Sequence, residues 1–247
     1  MNFAINMQFA VGFLQQTASV SFKSTSISKF RRRLSTTELN KFSKFENSFP
    51  RISRRQWDQL NQLTELLLDW NVKVNLISRK DADLIIPNHI LPCLSISHVR
   101  NFDSNERVID VGTGGGLPGL PMAIINPNAH FTLLDSNGKK MKIVDEIASI
   151  LGLQNVRVVC ARAETIQEKY DFLLGRAVSA VPKFLGFSAH LLDEKSKAPF
   201  SLSNSGEEIK SGLLYLKGGD FSEEIIEAGV EVAIFSSALE YLVAIGK

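Results

Sequence analysis

Residues 108–119 are the segment that most restricts how this chain can fold. Their sequence is VIDVGTGGGLPG, in which a run of apolar strand formers leads into five glycines and then into a helical pattern. Glycine lets the backbone pass close to a ligand, and the first turn of a helix offers unpaired N–H groups. Ligands of open α/β sheets bind at the carboxyl ends of the strands. We therefore expect Gly112, Gly114 and Gly116 to line a binding crevice, because a purely structural turn would need fewer glycines.

Strand and helix patterns alternate on both sides of this loop. Buried strands are predicted at 107–111, 130–134, 156–160, 172–174, 213–216, 230–235 and 241–245. Helices are predicted at 117–125, 139–151, 181–192 and 223–228, and the polar stretch 195–212 is predicted to be a surface loop. Strands separated by helices indicate an α/β fold with a doubly wound, Rossmann-like parallel sheet.

The residues before the first strand have a different pattern. Apolar side chains recur at spacings of three and four between Trp57 and Trp70, which predicts an amphipathic helix over 56–70. A short helix capped by Asp81 or Asp83 is expected to stop before Pro87, and another is expected over 90–99. We therefore divide the chain into a segment 1–48, a small N-terminal helical cap over 49–103 and a ligand-binding domain over 104–247.

The glycine loop is compatible with two cofactors. Three of its glycines, with Asp135 about 20 residues further on, satisfy the dinucleotide-binding pattern. In that pattern the first glycine directly follows the strand. Here Gly112 holds that position, and counting from it the third glycine of the pattern would fall on Leu117. Asp110, two residues before Gly112, fits S-adenosylmethionine-dependent methyltransferases better, and the chain is too short for the second domain of a dehydrogenase.

Acidic residues near the strand ends are candidates for contacts to a nucleoside. Asp135 ends the second strand, where a carboxylate can accept both hydroxyls of a ribose. An alternative is that Asp135 only caps the following helix. Ala163 and Glu164 follow the third strand, where a loop can contact the edge of an adenine.

The first 48 residues have the composition of an organelle transit peptide. They are rich in serine, contain the run Arg31, Arg32, Arg33 and have no acidic residue before Glu38. Serine richness favours the chloroplast, with the mitochondrion as the alternative, while a merely disordered tail is the remaining interpretation. This segment holds 7 of the 28 basic and 2 of the 26 acidic residues, which leaves a net charge of −3 on the remainder. Any nucleic-acid site must therefore be a local basic patch.

The cysteines, histidines and apolar runs argue against a disulfide-bonded, metal-binding or membrane-spanning protein. Cys93 and Cys160 are far apart and flanked by apolar residues, so we expect buried, reduced thiols and no disulfide. The four histidines are scattered, and no metal site is expected. No run reaches the roughly 18 apolar residues that a membrane-spanning helix needs, and no membrane partner is expected.

A set of motifs in fixed order resembles a known family. The motifs are LLDWNVKVNLIS, HILPCLS, VIDVGTGGGLPGLPMAI, HFTLLDSNGKK, ARAE, GRAVS and LKG, and together they cover about residues 56–245. They resemble the bacterial 16S ribosomal RNA guanine-N7 methyltransferases, the glucose-inhibited division protein B family. The resemblance implies a homologue that binds S-adenosylmethionine, and the composition of residues 1–48 makes it an organelle-targeted one. By resemblance, the cofactor contacts also include Gly112, Leu117, Ala163, Glu164 and Arg176.

The chain departs from the family pattern at three places. Gly115 stands where proline or alanine is more usual, and the loop between Leu192 and Leu213 is longer. The glycine and arginine that commonly precede the last strand are not evident before Tyr241.

The implied substrate is small-subunit ribosomal RNA or a ribosomal particle, acted on by a monomer. The nitrogen-7 of guanine carries a free lone pair, so no general base is required, and no catalytic side chain is nominated. Positioning of the base would supply most of the rate enhancement.

Asn75 could orient the cap or the base, or only form a turn. The candidate RNA-binding residues are basic: Arg54, Arg55, Lys73, Arg79, Lys139 and Lys217, with Arg51, Lys80 and Lys140 nearby. A methyltransferase of a small molecule or protein, or an inactive nucleotide-binding homologue, remains an alternative.

Overall fold

A mixed eight-stranded sheet forms the centre of the molecule. The computed structural model describes residues 4–5, 41–193, 211–229, 232–236 and 241–245. The strands are β1 (Ala4–Ile5), β2 (Arg107–Val111), β3 (His130–Asp135), β4 (Val156–Cys160), β5 (Phe172–Arg176), β6 (Gly212–Lys217), β7 (Val232–Ser236) and β8 (Tyr241–Ile245). Their order across the sheet is β1-β7-β8-β6-β5-β2-β3-β4. The predicted surface loop over 195–212 lies almost wholly outside the described residues.

Five neighbouring strands, from β4 to β6, are parallel, as the alternating sequence pattern predicted. The exception to the parallel arrangement is β8, which pairs antiparallel with both β6 and β7. Only four residues separate β7 from β8. A parallel pair needs a crossover connection of a dozen or more residues, so a link this short permits only an antiparallel return.

Helices cover both faces of the sheet. They are α1 (Arg54–Asn71), α2 (Leu91–Ser95), α3 (Gly119–Ile125), α4 (Gly138–Ile150), α5 (Val181–Ser188) and α6 (Ser222–Ala228). Side chains alternate between the two faces along each strand. In β2, Val108 packs into a large core with α1 to α4, whereas Ile109 and Val111 pack into a smaller core with α5 and α6. The cap and one face of the sheet thus share one continuous core.

Helix α1 extends the predicted helix by two residues at its start and one at its end. Ser53 begins it with a capping box, in which Ser53 and Gln56 satisfy each other's backbone N–H groups. The Gln56 amide also donates to the carbonyls of Ile124 and Ile125, at 3.0 and 3.1 Å. These bonds place the first turn of α1 against the last turn of α3.

The prediction that a helix stops before Pro87 is wrong. A 3₁₀ turn over Arg79–Leu84 is followed by a π-helical turn over Ile86–Ile90 that contains Pro87, and the chain then continues into α2 and a 3₁₀ turn over Ile96–His98. Pro87 lies in the first turn of the π segment. A proline is tolerated there because its missing N–H would have no partner within the helix.

Residues 41–48 belong to the folded body, so the predicted boundary at residue 48 must move. Phe42 is fully buried and stacks on Trp57 with ring centroids 5.2 Å apart. Lys41 pairs with Glu65 of α1 at 2.9 Å. The folded body of the chain therefore includes residues 41–48. The rest of the predicted transit peptide, apart from residues 4 and 5, lies outside the described residues.

One of the two cysteines also differs from expectation. Cys93 is fully buried and donates to the carbonyl of His89, but Cys160 is exposed at the end of the edge strand β4. An edge strand has a neighbour on one side only, so apolar flanking residues did not guarantee burial. Within the described residues, no helix has the length and apolar character needed to cross a bilayer.

Candidate functional site

The glycine loop joins β2 to α3 at the carboxyl edge of the sheet. Gly112, Gly114 and Gly116 all have positive φ, at 76°, 56° and 86°. Side chains other than glycine rarely adopt this conformation. The loop is fixed to β3, because the N–H groups of Gly112 and Thr113 both donate to the carbonyl of Leu134, at 2.8 and 3.0 Å. The structure thus brings together the three glycines predicted to line the crevice.

Asp110 lies fully buried beneath this loop. Its Oδ2 accepts from the Thr113 hydroxyl at 2.5 Å and from the Gly119 N–H at 2.8 Å. Among the described residues, its Oδ1 has no hydrogen-bond partner. Burial raises the pKa of Asp110 to about 7, against the opposing effect of the bonds from Thr113 and Gly119. A buried carboxylate oxygen without a partner indicates an interaction that a ligand would complete.

Asp135 ends β3 on the other side of the loop. Its Oδ2 accepts from the Gly114 N–H at 3.0 Å, and its Oδ1 accepts from the Asn137 N–H at 2.8 Å. The alternative that Asp135 caps the next helix is wrong, because Asn137 is the N-cap of α4 and accepts from Lys139 and Lys140. An ionised carboxylate has about four lone-pair sites, so two bonds leave capacity for the hydroxyls of a ribose.

The remaining predicted cofactor residues surround the same edge. Ala163 and Glu164 lie in a 3₁₀ turn that follows β4, with Ala163 buried and Glu164 exposed. Leu117 packs its side chain into the larger core, and its N–H donates to the carbonyl of Thr113. Leu117 therefore anchors the glycine loop to the larger core.

Arg176 ends β5 and reaches into the cap. Its Nη2 donates to the Asn88 carbonyl at 2.6 Å, and its Nη1 contacts Nδ1 of His89 at 3.1 Å. Its positive charge opposes the rise in the pKa of Asp110 that burial causes. Arg176 is thereby linked electrostatically to the carboxyl beneath the glycine loop. Asn88 and His89 were not nominated from the sequence, although His89 stands in the HILPCLS motif.

The segment after Arg176 is held by a residue that sequence reasoning also missed. Ala177 has a positive φ of 49°, which is strained for a residue with a β-carbon. The buried Tyr215 accepts at its hydroxyl from the N–H groups of Val178 and Ser179 and donates to the carbonyl of Ser179. Val178 lies against Gly112, where a β-carbon would come within 2.9 Å of its side chain.

The structure separates the predicted basic cluster into two groups at opposite ends of α1, which is about 27 Å long. Arg54 and Arg55 lie in the first turn of α1, which contacts Ile124 near the end of α3. Arg54 is paired with Asp58 at 3.4 Å. The exposed residues Lys73, Arg79 and Lys80 follow its end. There Leu76 packs against Gly115 of the loop, so this second group is the one beside the crevice.

The other predicted basic residues differ in their availability. Lys139 is exposed and Lys140 partly exposed in the first turn of α4, near Asp135. Lys217 instead pairs with Glu224 at 2.9 Å, and its side chain is only 16% exposed. This pairing gives Lys217 a structural role between β6 and α6. Asn75 is exposed in the turn after α1.

A cavity of about 330 Å³ opens away from this edge. It is lined by residues that include Phe49, Arg51, His98 and Ile125. Ile125 ends α3, at the opposite end of that helix from the glycine loop. We assign the site to the glycine loop because the acidic and glycine residues converge there.

The chain is similar to known proteins over most of its length. Residues 56–204 match the GidB family, described as rRNA small subunit methyltransferase G. The ribosomal RNA small subunit methyltransferase G of Christiangramia forsetii is 43% identical over 177 residues, which are 72% of this chain and 80% of that protein. The corresponding protein of Cytophaga hutchinsonii is 39% identical over 182 residues, covering 74% and 84%.

Solved structures show the same fold at low sequence identity. A mutant of MtNAS in complex with S-adenosylmethionine has a TM-score of 0.52 and 11% identity, covering 83% of this chain and 79% of that chain. An O-methyltransferase family protein from Burkholderia thailandensis has a TM-score of 0.52 and 13% identity, covering 78% and 69%.

Proposed function

Because the chain belongs to the GidB family of rRNA small subunit methyltransferases, we propose that it methylates nitrogen-7 of a guanine in small-subunit, 16S-type ribosomal RNA. The observation that carries the proposal is the family match over 56–204, which includes the glycine loop, Asp135 and the cap. The chain is an enzyme of the methyltransferase class, and its cofactor is S-adenosylmethionine.

The residues of the crevice fit this cofactor. Asp135 would accept the ribose hydroxyls, and the turn containing Ala163 and Glu164 would lie beside the base. The partnerless oxygen of Asp110 would place negative charge near the cationic parts of the ligand. The positive-φ glycines keep the loop backbone free of side chains at the point of closest approach.

Catalysis by this site depends on positioning. When bound, the cofactor supplies an electrophilic methyl group on a sulfonium sulphur. Guanine nitrogen-7 would accept that methyl group with its free lone pair, so no residue of the chain has to remove a proton. The protein therefore needs to align the base with the methyl group, and alignment alone can contribute several kcal/mol, roughly 7–11 in favourable cases. The segment held by Tyr215 lies against the glycine loop and would help to align the base.

RNA would reach the crevice across the end of α1. Lys73, Arg79 and Lys80 are exposed beside the loop, and Lys139 is exposed on its other side. Basic residues of this kind bind phosphates and position the RNA without reading its sequence. The negative net charge of the chain beyond residue 48 leaves this local group as the main source of attraction.

The proposed reaction is tested with radiolabelled S-adenosylmethionine and small ribosomal subunits from a bacterium that lacks its own enzyme of this family. We expect the label to appear as 7-methylguanosine after digestion of the RNA. Asp135→Ala should abolish labelling, whereas Asp145→Ala, on the exposed side of α4, should not. Labelling of a small molecule or protein, with none in the RNA, would favour another methyltransferase of the same fold.

We further propose that the protein is imported into the chloroplast. The serine-rich, acid-poor composition before Glu38 supports this, and the burial of Phe42 sets the limit of the removable segment. A fusion of residues 1–40 to a fluorescent protein should enter plastids. The same fusion with Arg31, Arg32 and Arg33 replaced by glutamate is the control and should stay in the cytosol. Entry of the fusion into mitochondria would instead assign the protein to that organelle.

A further inference from the structure

Arg176 is held from the cap by two acceptors on one turn of helix. Its guanidinium contacts the Asn88 carbonyl and Nδ1 of His89. Residue 92, four positions after Asn88, is a proline and has no N–H to donate to the Asn88 carbonyl. Both acceptors lie in the π-helical turn Ile86–Ile90 and contact Arg176 at the end of β5.

The contact with Arg176 determines which nitrogen of His89 carries the proton. A guanidinium is always charged and only donates, so Nδ1 of His89 must be the unprotonated, accepting nitrogen. The proton of the neutral ring is then on Nε2. Nε2 faces Oδ2 of Asp81 at 3.6 Å, and the His89 side chain is only 13% exposed.

Asp81 is arranged to stay ionised opposite His89. Its Oδ1 accepts from the Asn88 amide at 3.3 Å. Although desolvation opposes it, side-chain hydrogen bonds from Asn88 and Ser78, together with the nearby His89 ring, hold the pKa of Asp81 below its ordinary value. At 3.6 Å this carboxylate lies beyond hydrogen-bond distance of Nε2, but its negative charge favours the tautomer that carries the proton on that nitrogen.

We propose that His89 is a positioning residue of the methyl-transfer reaction, which holds the guanidinium of Arg176 at the cofactor crevice. The charge of Asp81 favours the tautomer of His89 that this contact requires. This inference rests on the proposed function for its activity assay. Asp81 lies in the same 3₁₀ turn as Arg79 and Lys80, so the turn that would bind RNA also orients the arginine at the cofactor site.

The test is a double-mutant cycle between His89 and Arg176. His89→Leu keeps the bulk and removes the acceptor, and we expect kcat/KM for methyl transfer to fall roughly tenfold to a hundredfold, as for loss of a hydrogen bond to a charged group. His89→Asn places an amide oxygen near the position of Nδ1 and should restore most of the activity. In an Arg176→Leu background, His89→Leu should have almost no further effect, because coupled residues are not additive.

Calorimetry with S-adenosylhomocysteine separates this inference from the proposed function. His89→Leu should weaken binding about tenfold without any RNA present, on the same physical ground. His98→Leu is the matched control, because His98 is a partly buried histidine of the cap that stacks on Phe49, away from the crevice. Failure of the unsubstituted protein to methylate ribosomal RNA would overturn the function but not this inference. Additive effects in the cycle, or an asparagine variant as impaired as the leucine variant, would overturn the inference.

Discussion

Tyr215 and Ser179 hydrogen-bond each other in both directions. The Ser179 N–H donates to the tyrosine hydroxyl at 3.0 Å, and the hydroxyl donates back to the Ser179 carbonyl at 2.8 Å. The hydroxyl also accepts from Val178, while the ring is fully buried between β5 and α5. A core residue of β6 thus fixes the loop that follows Arg176.

Tyr215→Phe should therefore loosen that loop while leaving the core packed. We expect a loss of about 0.5–1.5 kcal/mol in the free energy of unfolding, since partly buried backbone groups of Val178 and Ser179 exchange their partner for water. Methyl transfer should fall more than cofactor affinity does. Denaturant unfolding and initial rates measure the two effects. Tyr170→Phe is the control, because among the described residues the hydroxyl of Tyr170 bonds to the exposed pair Arg157 and Glu168. Equal rate losses in both variants would contradict the assignment.

Asp110 should make the stability of the ligand-free protein depend on pH. Its pKa is raised to about 7 in the folded state, so between about pH 4 and pH 7 the folded state holds a proton that the unfolded state has released. Stability should therefore decline as the pH rises through this window, by up to about 4 kcal/mol from this group. Asp110→Asn should remove that part of the decline. The measurement is the difference in unfolding free energy between variant and wild type at each pH.

The same carboxyl should make cofactor binding tighter at higher pH. A cationic ligand near Asp110 favours its ionised form, so the affinity for S-adenosylmethionine should rise between pH 6 and pH 8. Calorimetry at several pH values should show this rise in the wild type and a flat profile in Asp110→Asn. A rise that persists unchanged in the variant would place the titrating group elsewhere.

The two ends of α1 should contribute differently to RNA binding. Arg79→Ala combined with Lys80→Ala should weaken binding and reduce the salt slope of log K by about 1–2, because each phosphate contact contributes roughly 0.7–0.9. Arg54→Ala combined with Arg55→Ala is the matched pair at the far end and should leave the slope nearly unchanged. Filter binding to small-subunit RNA over a range of salt concentrations measures both. A larger effect of the Arg54 and Arg55 pair would extend the RNA path along the whole cap.

Cys160 offers a test of where the nucleoside lies. It is exposed and is the register partner of Asp135, whereas Cys93 is fully buried. A thiol reagent should therefore modify one cysteine quickly, and bound S-adenosylhomocysteine should slow that reaction. Cys160→Ser should remove the fast phase. Labelling at an undiminished rate under saturating ligand would exclude the ends of β3 and β4 from the nucleoside site.

Local pattern was enough to predict most of the fold. The strand ending at Asp135 and the helix with Gly152 at its end were predicted because alternating and helical periodicities, together with turn residues, are encoded within a few neighbouring residues. The direction of β8 was missed, although the short link before it carried the necessary information.

Contacts between distant residues could not be predicted in the same way. Arg176 and His89 are 87 positions apart, and Tyr215 and Ser179 are 36 apart. No local period links such pairs, since the sheet order and the docking of the cap bring them together. The separation of the basic residues of the cap into two groups could not be predicted for the same reason. These residues are close in sequence, yet one helix length separates Arg54 from Arg79 in space.

The position of β8 also determines when the molecule can finish folding during synthesis. β8 follows β6 and β7 in the chain but lies between them in the sheet. A nascent chain emerges from its amino end, so β6 keeps an unpaired edge on the ribosome until residues 241–245 have left the exit tunnel. Exposed strand edges favour association with other chains. A chaperone that covers β6 until then should therefore raise the yield of native enzyme.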